Sequence, residues 1–343
     1  MAKKVLIENK LIEKLVGKGN FAEAARRLLE NQKRSWELLS GGYKSLSTVK
    51  IKSIDFDEYT LNIQFNPGRF ISSSAKVDEK SISERECFLC IENLPKEQKG
   101  ILYNKKFIIL CNPHPIFPEH FTIVSIEHIP QRINGAFNDL LLLSKALSEY
   151  YTVVYNGPKC GASAPDHLHF QAGTKFFMPV DTQFHQIMIR YGETLFNKQD
   201  ILVQGVDDGL RRFISFESTD RSLLNEVFKI FYDQYEMINP GADEPMMNIL
   251  SFYTEDSGWR VIIFLRAKHR STHYFKEGEE RILLSLAAVD LGGVCITPFE
   301  KDFNKVDKQL LREIFQEVTL GKEKFNKLKL WLKEKLNSSL RPD

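Results

Sequence analysis

The strongest constraint on the fold is the stretch SAPDHLHFQAG at residues 163–173, together with the run of elements that leads to it. Read as a strand, HLHFQ places His167, His169 and Gln171 on one face and Leu168 and Phe170 on the other. Upstream, after Gly100, come the apolar runs ILYNKKFIILCN and HFTIVSIEH, a helix in FNDLLLLSKALSEYY, the strand TVVYNG and the loop PKCGAS. Strand, strand, helix, strand, loop, strand is an α+β order with mostly short connections.

The flanking segments fit around this unit. Residues 7–38 carry helical spacing, clearest where Phe21, Ala24, Ala25, Leu28 and Leu29 fall on one stripe, and GGYKS is expected to end the helix. VKIKSIDF and YTLNIQF then alternate as an antiparallel hairpin closed by NPGR. The polar, serine-rich residues 71–86 read as a loop into ECFLC. From about residue 210 a second cycle begins: the strand RRFISFES, a helix in LLNEVFKIFYDQYEMI, the strand pair MMNILSFYTEDSGWRVIIFLR, a strand in GGVCITPF and a C-terminal helix. Its order loosely echoes the first cycle, as an old duplication would, yet no histidine-rich strand recurs. The expected division is an N-terminal helical segment (1–50), a first unit (51–205) and a second (206–343).

The totals exclude several functions. With 343 residues, of which 43% are apolar, the chain can bury a real core. Its net charge is only +2, and basic and acidic residues are interspersed apart from MAKK and KEKFNKLKLWLKEKL, so nothing demands nucleic acid or a membrane. No stretch approaches the roughly 20 apolar residues of a membrane span, and the first residues lack a secretory pattern. A cytoplasmic location is therefore expected. Five cysteines, an odd number, argue against a disulfide framework there and turn attention to the close pair Cys87 and Cys90.

A C-x-x-C pair puts two thiolates on one tight turn and suits one tetrahedral metal ion, given two more ligands. His114, His120, His128, His167 and His169 are the candidates. Sulfur and imidazole ligands favour zinc over magnesium or calcium. A redox pair would instead sit at a helix N-terminus after a strand, whereas a charged loop precedes this one; ordinary buried or surface cysteines are the third reading. Imidazole is a good nucleophile toward phosphorus when one nitrogen is free and the other is held as N–H. One histidine of HLHFQ could attack the α-phosphorus of a nucleotide, with backbone N–H groups of GAS at 161–163 and the Gln171 amide holding the oxygens. Taken singly, each histidine reads as a half-buried strand residue. The combination H-x-H-x-Q after a G-x-S loop, with C-x-x-C upstream, reads as a site.

HLHFQ resembles the H-x-H-x-Q signature of the transferase branch of the histidine-triad superfamily, which includes galactose-1-phosphate uridylyltransferase, diadenosine tetraphosphate phosphorylase and the GDP-hexose phosphorylases. IQFNPGRF is similar to the QLN-x-GR segment of the GDP-L-galactose or GDP-D-glucose phosphorylases, and HFTIVSIEHIPQ to the superfamily's P-x-H-x-x-I-x-x-x-x-H-x-P strand. The resemblance runs with gaps from about residue 60 to 175 and more faintly beyond. It implies a histidine-triad-like antiparallel sheet with flanking helices, duplicated with a degenerate second half, and a catalytic first unit.

By the same resemblance His169 would be the nucleophile and Gln171 would bind phosphoryl oxygens in place of a third histidine. An amide cannot act as general acid or base, so water is activated less well and the intermediate can await another acceptor. A structural zinc would be held by Cys87, Cys90, His128 and His167. Asn156, Gly157, Gly161 and Ser163 would contact ribose and phosphate, unless YNG is a plain tight turn, and Asn66 and Arg69 would reach the nucleotide, unless Arg69 is a surface cation. Arg266, Lys268 and Arg270 in RAKHR offer an anion clamp but read more readily as a solvated strand end. Leu168 replaces the proline of the uridylyltransferase H-P-H, which favours the phosphorylase side. The implied reaction is phosphorolysis of a nucleotide sugar or dinucleoside polyphosphate through a nucleotidyl-histidine, with phosphate or a sugar phosphate as acceptor. A nucleotide hydrolase and a non-catalytic, zinc-stabilised nucleotide-binding protein are the alternatives, and a homodimer is compatible with the sequence.

Overall fold

The computed structural model describes residues 5–70, 79–198, 200–239 and 244–340. The serine-rich positions 71–78 lie outside these; the residues after them form a short helix before the cysteine pair.

The strands are β1 (Lys50–Phe56), β2 (Tyr59–Phe65), β3 (Gly100–Tyr103), β4 (Phe107–Cys111), β5 (His120–Ser125), β6 (Tyr151–Asn156) and β7 (His169–Thr174). They continue with β8 (Gly192–Lys198), β9 (Ile201–Asp207), β10 (Arg212–Ser218), β11 (Met247–Thr254), β12 (Gly258–Leu265) and β13 (Val294–Thr297). The helices used below are α1 (Lys10–Gly17), α2 (Phe21–Ser35), α3 (Glu37–Leu46), α4 (Phe137–Ala146), α5 (Pro179–Tyr191), α6 (Arg221–Ile238), α7 (Lys308–Val318) and α8 (Lys322–Ser339).

Ten strands make one sheet in the order β3-β4-β5-β7-β6-β11-β12-β10-β9-β8, with every pairing antiparallel. The order is symmetric about the β6–β11 seam: β3-β4-β5-β7-β6 in the first half answers β8-β9-β10-β12-β11 in the second. In each half one helix, α4 or α6, stands between the third and fourth strands in sequence. The duplication suspected from sequence is thus plain in the topology. It starts at Gly192, however, and the expected division at 205/206 falls inside β9. β8 escaped notice because it is a half-exposed edge strand with a register shift between Thr194 and Phe196, which breaks the alternation.

Helices cover one face of the sheet. Ile12, Leu28 and Leu39 of α1–α3, Leu140 of α4, Phe231 of α6 and Leu332 of α8 belong to one apolar cluster with the sheet residues Phe170 and Ala172. The opposite face carries α5, α7 and a small sheet β1-β2-β13, in which β13 runs parallel to β2. His169 and Gln171 point to this second face because Phe170 and Ala172 point to the first.

The N-terminal region departs from expectation in an informative way. Its helical pattern spans three helices, divided at Trp36 and at residues 18–20, where the Asn20 side chain accepts the Glu23 N–H and caps α2. GGYKS does not end the helical region, since Gly41 and Gly42 lie inside α3. The reason is close packing: a Cβ on Gly42 would stand 2.0 Å from the Pro113 carbonyl oxygen. The glycine lets α3 dock on the 112–116 loop, which borders the site described below.

Gly→Ala inside an exposed helix normally stabilises by about 1 kcal/mol. Gly42→Ala is expected to do the opposite, costing roughly 1–3 kcal/mol as overpacking does. Urea denaturation of the two proteins gives the sign.

Candidate active site and metal cluster

β7 lies between β5 and β6, so its backbone is paired on both sides. His169, its first residue, is 2% exposed and doubly pinned. Its N–H donates to Gln131 Oε1 at 2.7 Å, and its carbonyl accepts from Gln131 Nε2 at 2.9 Å. The imidazole Nδ1 lies 2.8 Å from the His167 carbonyl oxygen. A carbonyl can only accept, so Nδ1 carries the proton and Nε2 keeps its lone pair. Burial pushes the pKa of the ring down to about 4, so the lone pair is present at neutral pH.

Gln171 is oriented by a residue outside the HLHFQ signature. The Ile116 N–H donates to His120 Nδ1 at 3.2 Å, which makes His120 Nε2 the protonated nitrogen. Nε2–H then donates to Gln171 Oε1 at 2.9 Å, across the β5–β7 pair. With its oxygen engaged, the glutamine can present only its NH2 group to the cavity. Burial lowers the His120 pKa to about 3, so the ring stays neutral and the relay keeps its direction. Tyr43 of α3 completes it by accepting the His120 backbone N–H at 3.0 Å.

Behind this pair, Cys87, Cys90, His128 and His167 bring one ligand atom each to within 4.8 Å of one another. Cys87 Sγ and His167 Nδ1 are 3.4 Å apart, Cys90 Sγ and His128 Nδ1 3.1 Å, and Cys90 Sγ and His167 Nδ1 3.6 Å. Atoms on a tetrahedron with metal–sulfur bonds of about 2.3 Å and metal–nitrogen bonds of about 2.0–2.1 Å lie roughly 3.3–3.8 Å apart. His167 Nε2 donates to the Ser125 carbonyl at 2.8 Å, fixing the tautomer that turns Nδ1 to the cluster. The cluster can hold a metal ion. Of the other candidate ligands, His114, His120 and His169 stand outside it.

Two cavities meet at the site. The larger, about 380 Å³, has an apolar wall of Trp36, Leu38, Phe88, Leu94 and Pro95 and reaches His169. The smaller, about 80 Å³, is polar and is walled from the second half by His269, Arg270, Ser285 and Asp290. Arg69, Ser163 and Gln171 border both. Arg69 donates from Nη1 to the His114 carbonyl at 2.7 Å, while its buried Nε has no partner. Its guanidinium therefore stands in the wall between the cavities and is not a surface cation.

The other expected contacts divide. Asn156 lines the smaller cavity; its Oδ1 accepts from Asn248 Nδ2 at 2.7 Å and the Ala288 N–H at 2.8 Å, leaving its NH2 group to donate. Gly161 lines the same cavity at φ +95°, where a Cβ would strike Ala287 Cβ at 2.7 Å. Asn66 and Gly157 line neither cavity. Asn66 spends its amide on Gln64 Oε1 and the Pro115 carbonyl and so braces the loop next to Arg69. Gly157 donates its N–H to the Met247 carbonyl, tying the two halves together. In RAKHR, Arg266 is fully buried and bonded to protein acceptors, and Lys268 pairs with Glu317 on the surface. Arg270 does face the cavity, its guanidinium over the Tyr274 ring and its Nε donating to Ser285 Oγ at 3.1 Å. In the sequence His120 reads only as a candidate metal ligand and Arg270 as part of a solvated strand end, while Gln131, His269, Ser285 and Asp290 give no signal. HFTIVSIEHIPQ contains both His120 and Gln131, but only pairing across the sheet reveals what they orient.

The fold is α+β, an antiparallel sheet with flanking helices built from two topologically equivalent halves. Residues 28–174 match the family model described as a domain of unknown function (DUF4922), and residues 247–339 match that described as GDPGP1-like, C-terminal domain. The solved structure of yeast Ap4A phosphorylase Apa2 superposes with a TM-score of 0.61 at 16% identity, covering 87% of this chain and 97% of that one. The same yeast protein in complex with AMP gives 0.57 at 15% identity, covering 87% and 96%. In complex with Ap4A it gives 0.58 at 13%, covering 87% and 97%. No curated protein matches the sequence. The resemblance to the phosphorylase branch is therefore borne out in the fold.

The cluster's geometry predicts one metal ion per chain. Elemental analysis is expected to find it in the unaltered protein and in His169→Ala, and to find it lost in Cys87→Ala.

Proposed function

We propose that the protein is a nucleotidyltransferase of the phosphorylase type, acting on a nucleotide sugar of the GDP-hexose kind or on a dinucleoside polyphosphate through a covalent nucleotidyl-His169. The observation that carries this reading is the tautomer of His169, whose free Nε2 borders a cavity large enough for a nucleoside. The GDPGP1-like description of residues 247–339 and the shared fold with Ap4A phosphorylase support it.

On this reading the nucleoside occupies the larger cavity and its α-phosphate lies at Arg69, Ser163 and Gln171. His169 Nε2 attacks the α-phosphorus and a P–N bond forms. The bond from phosphorus to the bridging oxygen breaks, and the sugar phosphate or nucleotide leaves with the electron pair through the smaller cavity. Nδ1–H stays on the His167 carbonyl throughout, so the charge that develops on the ring meets an acceptor already in place. The Arg69 and Arg270 guanidiniums and the Gln171 amide offset the charge on the oxygens. Phosphate or a sugar phosphate then attacks the same phosphorus, the P–N bond breaks, and His169 returns to its neutral tautomer. With phosphate as acceptor the products are a nucleoside diphosphate and the released phosphate ester. No base is required, because an anionic phosphate is already a nucleophile and a phosphate ester leaves without a proton donor. Water has no such advantage and finds only an amide at Gln171.

The metal of this reading is zinc, and its role is structural. Four protein ligands leave no open position, and Cys₂His₂ is a donor set zinc accepts. Cys87, Cys90, His128 and His167 would hold it, and His167 is the residue whose carbonyl fixes the His169 tautomer.

Intact mass spectrometry after incubation with GDP-glucose, UDP-glucose or diadenosine tetraphosphate, without phosphate, is expected to show an adduct of nucleoside monophosphate mass. His169→Ala should show none, and full turnover by that variant would sink the mechanism. His167→Ala should chiefly lose metal and melt at a lower temperature. Turnover beyond the first equivalent should depend on added phosphate or sugar phosphate; turnover in water alone at the same rate would make the protein a hydrolase.

A further inference from the structure

The two residues between the metal-cluster cysteines, Phe88 and Leu89, both line the larger cavity. One turn of chain thus presents sulfur to the cluster on one side and apolar surface to the cavity on the other. Phe88 is 46% exposed, and the Arg85 guanidinium lies 5.0 Å over its ring. Arg85 in turn pairs with Asp166 at 2.6 Å, the residue before His167. Leu89 belongs to a small apolar cluster, separate from the two main ones, that includes Cys87, Ile108, Leu110, Val124 and Ala164. The turn is therefore joined to the segment leading into β7 by the cluster ligand His167 and one ion pair, and to β4 and β5 by a small apolar contact. Removing the metal takes away the first of these and leaves two thiols and two imidazoles crowded together.

We propose that metal occupancy and nucleotide affinity are thermodynamically linked through this turn. The metal holds Phe88 and Leu89 as a preformed wall for the nucleobase, and a base in the cavity stabilises the turn that carries the cysteines. This rests on the reading of the larger cavity as the nucleoside site. Linkage is reciprocal, so the factor by which zinc tightens nucleotide binding must equal the factor by which nucleotide tightens zinc binding.

The test uses the full chain with GMP, AMP and UMP as probes. Calorimetry on zinc-loaded and chelator-stripped protein should show at least a tenfold weaker nucleotide affinity when stripped. Competition with a zinc chelator should show zinc retention raised by the same factor at saturating nucleotide. Because stripping can unfold the protein, Phe88→Ala provides a second measurement. It should keep one zinc per chain, bind nucleotide at least tenfold more weakly, and hold zinc equally well with and without nucleotide. Equal nucleotide affinity in loaded and stripped protein, or a Phe88→Ala protein with unchanged nucleotide affinity, overturns the linkage alone. If none of the three nucleotides binds the zinc-loaded protein, the reading of the cavity falls and the linkage with it.

Discussion

The guanidinium of Arg266 is buried at the end of β12, and much of the polar cavity is built around it. A buried charge of this kind is costly unless most of its donors are met, and here only Nε lacks a partner. Nη1 donates to Asn248 Oδ1 at 2.7 Å and the Leu286 carbonyl at 2.9 Å, and Nη2 donates to the carbonyls of Lys268 and His269 at 3.0 and 2.8 Å. Asn248 passes the constraint on, giving its amide to Asn156 Oδ1 and the Cys160 carbonyl across the β6–β11 seam. One cation in the second half thus sets the loop of the glycine and serine residues in the first half and positions the segment carrying His269 and Arg270.

That seam explains why a degenerate repeat is retained. The first half brings His169, Gln171 and the cysteine–histidine cluster. Alone it would leave β6 as an open edge, which sheets avoid, and the smaller cavity without a wall. The second half closes the edge and supplies cationic and hydroxyl groups where a leaving group would sit. Its chemistry as a copy of the first half is gone, as the sequence suggested, but its surface is part of the site.

Much of this was legible from residue types and spacing. The strand periods of HFTIVSIEH, TVVYNG and the second-cycle hairpin appear as β5, β6 and β11–β12. The pairing of C-x-x-C with His128 and His167 brings four ligand atoms together as the resemblance implied. What escaped notice depends on contacts between distant segments. Gly41 and Gly42 look like a helix stop until Pro113 is placed against Gly42. Asn66 and Gly157 look like ligand contacts until their hydrogen bonds to Pro115 and Met247 are seen. β8 has no clean alternation because one side of an edge strand faces water and its register slips.

The sequence by itself determined the chemistry available: which side chains can bind a metal, which can attack phosphorus, and that an amide stands where an acid or base could have been. Alternation along HLHFQ also settled that His169 and Gln171 share a face. Only the tertiary structure decided the protonation pattern that leaves the His169 Nε2 lone pair free, because a tautomer is set by what lies across from each nitrogen, here the His167 carbonyl. It likewise decided that His120 aims the glutamine, that Arg69 stands between two cavities, and that one arginine of RAKHR is a brace while another faces the site. Side-chain type is local information; the hydrogen-bond partner that gives it a role is fixed by the folded chain, two positions away for His169 and 51 for Gln171.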